Sequence, residues 1–213
     1  MRLVTLKQRI NKTLGRKNLY KDFFDKNSCV FIHIPKAAGT AVSNALYGDD
    51  PWHYSVDECR FIDSDKFDRY YKFAVVRHPV SRLVSTYNYA QTHIKEYPNS
   101  SIAFMAEFTS FDDFIMQWLT PENARAHYFF WPLTQYLCDS DGRVVVDDVI
   151  KMEELAEGIK VVEHRLNKKL DIKSMNVSKK IVSDGLDGTV LNRIVEVYRA
   201  DFELFDYDVV QCH

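Results

Sequence analysis

The stretch that decides the fold is Cys29-Val-Phe-Ile-His33-Ile-Pro35-Lys36-Ala-Ala-Gly39-Thr40-Ala-Val-Ser43. Its apolar run from Val30 to Ile34 predicts a buried strand, which Pro35 breaks. Lys36, Ala37, Ala38, Gly39 and Thr40 follow as a tight turn. Thr40 to Tyr47 then predicts a helix with Val42, Ala45 and Leu46 facing inward, stopped by Gly48-Asp-Asp-Pro51. Strand, turn and helix N-terminus together form a geometry in which unpaired backbone N–H groups and the helix dipole collect an anion. Lys36 adds a mobile positive charge, and the small residues Ala37, Ala38 and Gly39 let the backbone approach a ligand closely. The residues alone therefore point to a phosphate-like group held at this turn.

A second stretch repeats the pattern. Lys72-Phe-Ala-Val-Val-Arg77 predicts a strand ending in a charge, and His78-Pro79 starts a helix, with proline at a first-turn position where its missing N–H costs nothing. On the helical wheel Val80, Leu83, Val84, Tyr87 and Ile94 form one apolar face, while Ser81, Ser85, Asn88 and Thr92 form a polar stripe. That stripe is either a second place for an anion or an ordinary exposed face, and spacing alone does not separate the two.

Further along, Val56 to Tyr70 is mixed and helical in part, and residues 97–109 are loop-like. Ser110 to Leu119 predicts a helix capped by Ser110 or Thr109, and Thr120-Pro121 breaks it. His127-Tyr-Phe-Phe-Trp-Pro132 is a dense aromatic segment of the kind that builds a core or a channel wall. Gln135 to Cys138 and Arg143 to Ile150 predict two strands around the Asp139-Ser-Asp-Gly142 turn. Glu153 to Leu166 and Thr189 to Phe205 predict helices, with 171–188 irregular between them. Strands alternating with helices give an α/β fold with a mainly parallel central sheet flanked by helices. No repeat or linker divides the chain, so one domain is expected over 28–213, preceded by a basic helical extension over 1–27.

Composition bounds the partners. The chain has 213 residues, 46% hydrophobic and 14% aromatic, enough for a full core, and a formal charge of −2. Residues 1–27 hold eight Lys or Arg against two Asp, a net of +6, which leaves −8 on the remainder. Such a body binds an anion through a few placed cations and offers no general field for a nucleic acid. In the extension, Leu3, Leu6, Ile10 and Leu14 recur at helical spacing between basic residues. Their stripe packs on the domain or, as a minority alternative, rests on an anionic membrane surface. Cys29, Cys59, Cys138 and Cys212 have no metal-ligand spacing and form no disulfide framework, so a reduced, cytoplasmic setting is expected, with the inner membrane surface as the site of any peripheral contact. No apolar run is long enough to span a membrane.

The order of residues in the first loop excludes an ordinary Walker A motif, G-x-x-x-x-G-K-S/T, because Lys36 precedes Gly39 and no Gly-Lys-Ser/Thr occurs. Instead, Ile34-Pro35-Lys36-Ala37-Ala38-Gly39-Thr40 resembles the 5′-phosphosulfate loop of the sulfotransferases that use 3′-phosphoadenosine 5′-phosphosulfate (PAPS). Phe73-Ala-Val-Val-Arg77-His78-Pro79-Val80-Ser81-Arg82-Leu83-Val84-Ser85-Thr86-Tyr87 resembles their 3′-phosphate motif, V-R-N/H-P-x-x-R-x-x-S-x-Y. The nearest branch is the carbohydrate-type (family 2) sulfotransferases, in a small soluble bacterial form. Weaker similarity runs through Pro132 to Leu137, Lys151 to Leu155, Asn176 to Lys179 and Asp201 to Phe205. The resemblance implies a three-layer P-loop-like fold. It places the 5′-phosphosulfate on the backbone of Ala37, Ala38, Gly39, Thr40 and Ala41 and on the Thr40 hydroxyl. Lys36 then reaches the bridging oxygen, and Arg77 and Ser85 hold the 3′-phosphate. Arg82 is read as a structural salt bridge in preference to a second phosphate contact, and His78, in place of the usual Asn, as a helix cap.

The resemblance also implies the chemistry. Sulfuryl transfer is in-line displacement with charge growing on the leaving 5′-phosphate, where Lys36 is expected, and no metal is needed. The acceptor is expected to be a hydroxyl on a saccharide or glycolipid, with a phenol or other alcohol as the alternative. Its general base is assigned to His53, because Trp52-His53-Tyr54-Ser55-Val56 resembles the H-x-S-type segment that carries the base in uronyl 2-O-sulfotransferases. His33 and His127 are the rivals, and His93, His164 and His213 are read as surface residues. Two other readings of the whole chain are a P-loop-like nucleotide kinase or NTPase, and a nucleotide-binding module without catalysis.

Overall fold

The apolar runs at Cys29–Ile32 (β1) and Tyr71–Val76 (β2) are strands, joined by a third, Asp148–Lys151 (β3). The computed structural model describes residues 21–172 and 186–209. The amphipathic stripe Leu3 to Leu14, the Asn176 to Lys179 segment, Cys212 and His213 lie outside the described residues, which form two compact units. One takes in 38–76, the described chain before 35 and the described part of 135–174. The other takes in 35–37, 77–134 and the described part of 175–213.

The first unit carries the sheet. Its order is β1-β2-β3, and both pairings are parallel, with Phe31 opposite Phe73 and Val75 opposite Ile150. Every residue of β1 is buried, as are five of the six of β2, which is why these strands read as continuous apolar runs and not as alternating ones. The core under them joins Phe31, Val42, Leu46, Phe73, Val75, Ile150, Ile159 and Val162. The free edge of β1 is closed by a side chain: the Tyr47 hydroxyl donates to the Cys29 carbonyl (3.0 Å) and accepts from the Phe31 N–H (2.9 Å). Around the sheet are α1 (Asp22–Asn27), α2 (Gly39–Tyr47), α3 (Val56–Ile62) and α4 (Ser64–Arg69), with α9 (Leu155–Leu166) later in the chain. The mixed segment after the first helix is thus two short helices, the first begun by a capping box in which Ser55 and Glu58 each bond the other's backbone N–H.

The second unit is helical among its described residues. Its long element is α5 (Pro79–Glu96), started by proline as expected, with Val80, Leu83 and Val84 buried. The Ser110 hydroxyl caps α6 (Phe111–Trp118), and Thr120 caps α7 (Pro121–Ala126). The last helix, α10 (Gly188–Leu204), brings Val190, Ile194, Tyr198 and Phe202 into a core with Phe114, Ile115, Leu119 and Phe130. Phe129, Phe130 and Trp131 are all buried, so the aromatic segment is core.

Three expectations are corrected. Gln135 to Cys138 is not a strand: α8 (Leu133–Leu137) occupies it, and Cys138 joins Val144 in an isolated antiparallel bridge. The buried Asp201 carboxylate sets this helix, accepting the Leu133 and Thr134 N–H groups at 2.7 and 3.0 Å. β3 begins at Asp148 and not at Arg143, because its partner β2 pairs from Phe73 onward opposite Asp148. The Arg82 expectation also changes in kind. Arg82 is fully buried and donates to the backbone carbonyls of Trp131 (2.6 Å) and Phe129 (3.4 Å), so among the described residues it braces main chain instead of forming a salt bridge.

Candidate active site

Each strand-to-helix junction presents a different kind of group. In the first unit, Ala38 precedes α2 with φ of 60°, in the left-handed region, and no side chain caps the helix. Its carbonyl accepts from Ala41 and Val42, and the earlier Gly39 and Thr40 N–H groups belong to the first turn, where no intrahelical acceptor exists. Lys36 is left-handed too, with φ of 66°. For residues with a Cβ this costs about 1–3 kcal/mol each, the kind of strain that persists at ligand-binding sites. Gly39 itself is not needed for a positive φ, contrary to the simple reading of a permissive glycine. A Cβ there would lie 1.8 Å from Cδ2 of His33, so glycine makes room for an imidazole.

That imidazole is part of a network. His33 is buried at the end of β1, and its Nδ1 lies 3.2 Å from Oδ1 of Asp50. The hydrogen bond from His33 holds the Asp50 carboxyl down to about 2, so it is an anion and His33 Nδ1–H is the donor. The same Oδ1 accepts the Trp52 N–H at 2.9 Å. His53 completes the cluster: its Nδ1 donates to the His33 carbonyl (2.8 Å), and its ring centroid is 4.3 Å from that of His33. With Nδ1 protonated, the lone pair of His53 sits on Nε2. Burial, followed by the adjacent His33 charge, pulls the His53 pKa down to about 4, so the ring is neutral at ordinary pH. Trp52 is 56% exposed beside it, with φ of 65°.

The second unit gathers cations. Arg77 donates from Nη1 to the Lys36 carbonyl at 3.2 Å, and Lys36 Nζ lies 4.2 Å above the Tyr89 ring. Burial, and then the charge of Arg77, lower the Lys36 pKa, and among the described residues no carboxylate opposes that shift. Ser85 is half-buried on α5, one turn before Tyr89 and on the same face, so the stripe and the Lys36 side chain meet this face at neighbouring turns. Two cations that repel each other beside a hydroxyl-bearing helix face fit an anionic ligand.

The other histidines sort themselves. His78 occupies the N-cap position of α5 without capping, and its Nε2 is 2.8 Å from the Asp208 carbonyl. His93 is not a bare surface residue: it stacks between Tyr89 and Tyr97, and its Nδ1 is 3.2 Å from the Tyr89 hydroxyl. His127 bonds Ser101 through Nε2 and accepts the Phe129 N–H at Nδ1, and burial takes its pKa to about 4. His164 is exposed. Sequence reasoning passed over Asp50 and Tyr89. Asp50 lay inside an apparent helix stop, and Tyr89 was detectable only as the residue four after Ser85.

An α/β fold with a parallel sheet and two strand-to-helix junctions, the first headed by an uncapped helix and the second by an arginine, defines a P-loop-like protein. The model of the sulfotransferase family, in its family 2 form, matches residues 22–208, and the chain belongs to that family. Comparisons with curated proteins and with solved structures each gave no match. Among the described residues no helix is long and apolar enough to cross a membrane, and no group of three or more His, Cys, Asp or Glu is placed to hold a metal ion.

Proposed function

We propose that this protein transfers the sulfuryl group of PAPS to an acceptor hydroxyl on a saccharide or glycolipid, with His53 as general base. The observation that carries the proposal is the placing of Arg77 beside Lys36: its Nη1 donates to the Lys36 carbonyl at 3.2 Å, and its charge helps to lower the Lys36 pKa. PAPS supplies an activated sulfuryl group whose departure leaves adenosine 3′,5′-bisphosphate. Arg77 and Ser85 hold the 3′-phosphate, the arginine by a forked charged contact. The backbone of Ala37, Ala38, Gly39, Thr40 and Ala41, with the Thr40 hydroxyl, holds the 5′ group. Lys36 neutralises charge on the departing oxygen. His53, neutral and with its lone pair on Nε2, accepts the acceptor proton.

Trp52, exposed next to His53, offers a stacking face for a sugar ring. Transfer of labelled sulfate from PAPS to a panel of glycans is the test. Labelled product with the native chain and loss of it with Lys36→Ala is expected; no transfer to any glycan, with transfer to a simple phenol, would overturn the saccharide assignment.

A further inference from the structure

One oxygen of Asp50 ties together two parts of the chain that both end on histidine. It accepts from His33 Nδ1 at 3.2 Å, which fixes the ring at the end of β1, and from the Trp52 N–H at 2.9 Å, which fixes the turn immediately before His53. The His33 backbone then returns to His53, whose Nδ1 it binds at 2.8 Å. The His33 ring is wedged against Gly39, where any Cβ would overlap it, so rotation of the ring is blocked on that side while Asp50 anchors it on the other.

We propose that Asp50 is a positioning residue of the transfer reaction, aiming Nε2 of His53 through the His33 ring and through the turn that Trp52 closes. The proposal rests on the sulfotransferase reading for its kinetic consequence, but the network stands on geometry alone. Asp50 touches no reacting atom in it. Its carboxylate accepts two donors at one oxygen and makes Nδ1–H the tautomer of His33, while the His33 carbonyl does the same for His53. A backbone oxygen cannot donate, so His53 keeps its lone pair on Nε2 only while the His33 main chain stays where it is. Among the described residues, the charge of His33 lowers the His53 pKa and that of Asp50 raises it.

Two substitutions separate this role from a merely structural one. Asp50→Ala removes the acceptor, whereas Asp50→Asn keeps an oxygen for the two donors and removes only the charge. Long-range proton–nitrogen NMR of the imidazoles reads the tautomers with no sulfate donor present. The native chain should show Nδ1-protonated His33 and His53. In Asp50→Ala the tautomers should mix, with kcat down about ten- to hundredfold and the Kd for adenosine 3′,5′-bisphosphate within about twofold of native. Asp50→Asn should keep the tautomers and move the acid limb of kcat/KM to lower pH, because a negative charge that favours the imidazolium is gone. Unchanged tautomers in Asp50→Ala, an unmoved limb in Asp50→Asn, or a loss of bisphosphate affinity as large as the loss of kcat would each overturn the proposal. A native chain that fails to bind the bisphosphate at all sinks the sulfotransferase reading instead, and the tautomers still decide the Asp50 network.

Discussion

The two strand-to-helix junctions solve the same problem with different parts of the chain. After β1, the chain passes two left-handed residues, Lys36 and Ala38, and enters α2 with no side-chain cap, so what it presents at the helix start is backbone N–H. After β2, Pro79 enters α5 at a position where it removes a donor, so what that junction presents is the Arg77 side chain and, further along, Ser85. The first junction carries strain and lies next to a histidine network. The second is braced, with Arg82 buried against two carbonyls and His78 held to the Asp208 carbonyl. Under the proposed function, this difference is a division of labour: chemistry at the strained junction, affinity at the braced one.

The sharpest way to break that division is His53→Ala. It should lower kcat by about two to four orders of magnitude and leave the affinity for adenosine 3′,5′-bisphosphate near native. Near-native turnover would move the base to His33 or His127. Arg77→Ala should do the reverse. Losing a charged hydrogen bond worth about 1.5–3 kcal/mol raises the bisphosphate Kd roughly ten- to hundredfold, as titration calorimetry would show. An equal loss for nucleotides lacking the 3′-phosphate would contradict the role given to this arginine.

Gly39→Ala tests the wedge between loop and network. Its Cβ meets the His33 ring, so overpacking should cost about 1–3 kcal/mol in thermal unfolding and reduce kcat as His33 is displaced. A native melting profile would mean the ring has another resting place. The smallest effect is one of pH. Burial disfavours the His53 imidazolium and lowers its pKa from 6.5 to about 4, so the neutral base persists well below neutrality. The acid limb of kcat/KM should therefore fall near pH 4 and not near 6.5. By the same sign, the stability owed to a neutral buried His53 is present above 6.5 and lost as pH falls toward 4.

Much of this was legible in the sequence, and what was missed has a common cause. β1 and β2 announce themselves because strands covered on both faces are uninterrupted apolar runs, and α5 because proline and a clean wheel mark its start and faces. The helix Leu133–Leu137 was invisible, because the carboxylate that organises its first turn comes from Asp201, far along the chain. Asp50 was hidden for a similar reason. Locally Asp-Asp-Pro is a helix stop, and only the folded chain sets it against His33. The left-handed turns at Lys36 and Ala38 could not be foreseen either, since neither residue favours positive φ and the neighbouring Gly39 drew the expectation to itself.

In the proposed function the Lys36 and Arg77 cations serve a nucleotide carrying a 3′-phosphate. Titration calorimetry of the native chain with adenosine 3′,5′-bisphosphate, in parallel with ATP and Mg²⁺, tests it most directly. Tight bisphosphate binding that is indifferent to Mg²⁺ and weakened by Arg77→Ala is expected. Mg²⁺-dependent binding of ATP with no binding of the bisphosphate would contradict it and return the chain to the kinase or NTPase reading.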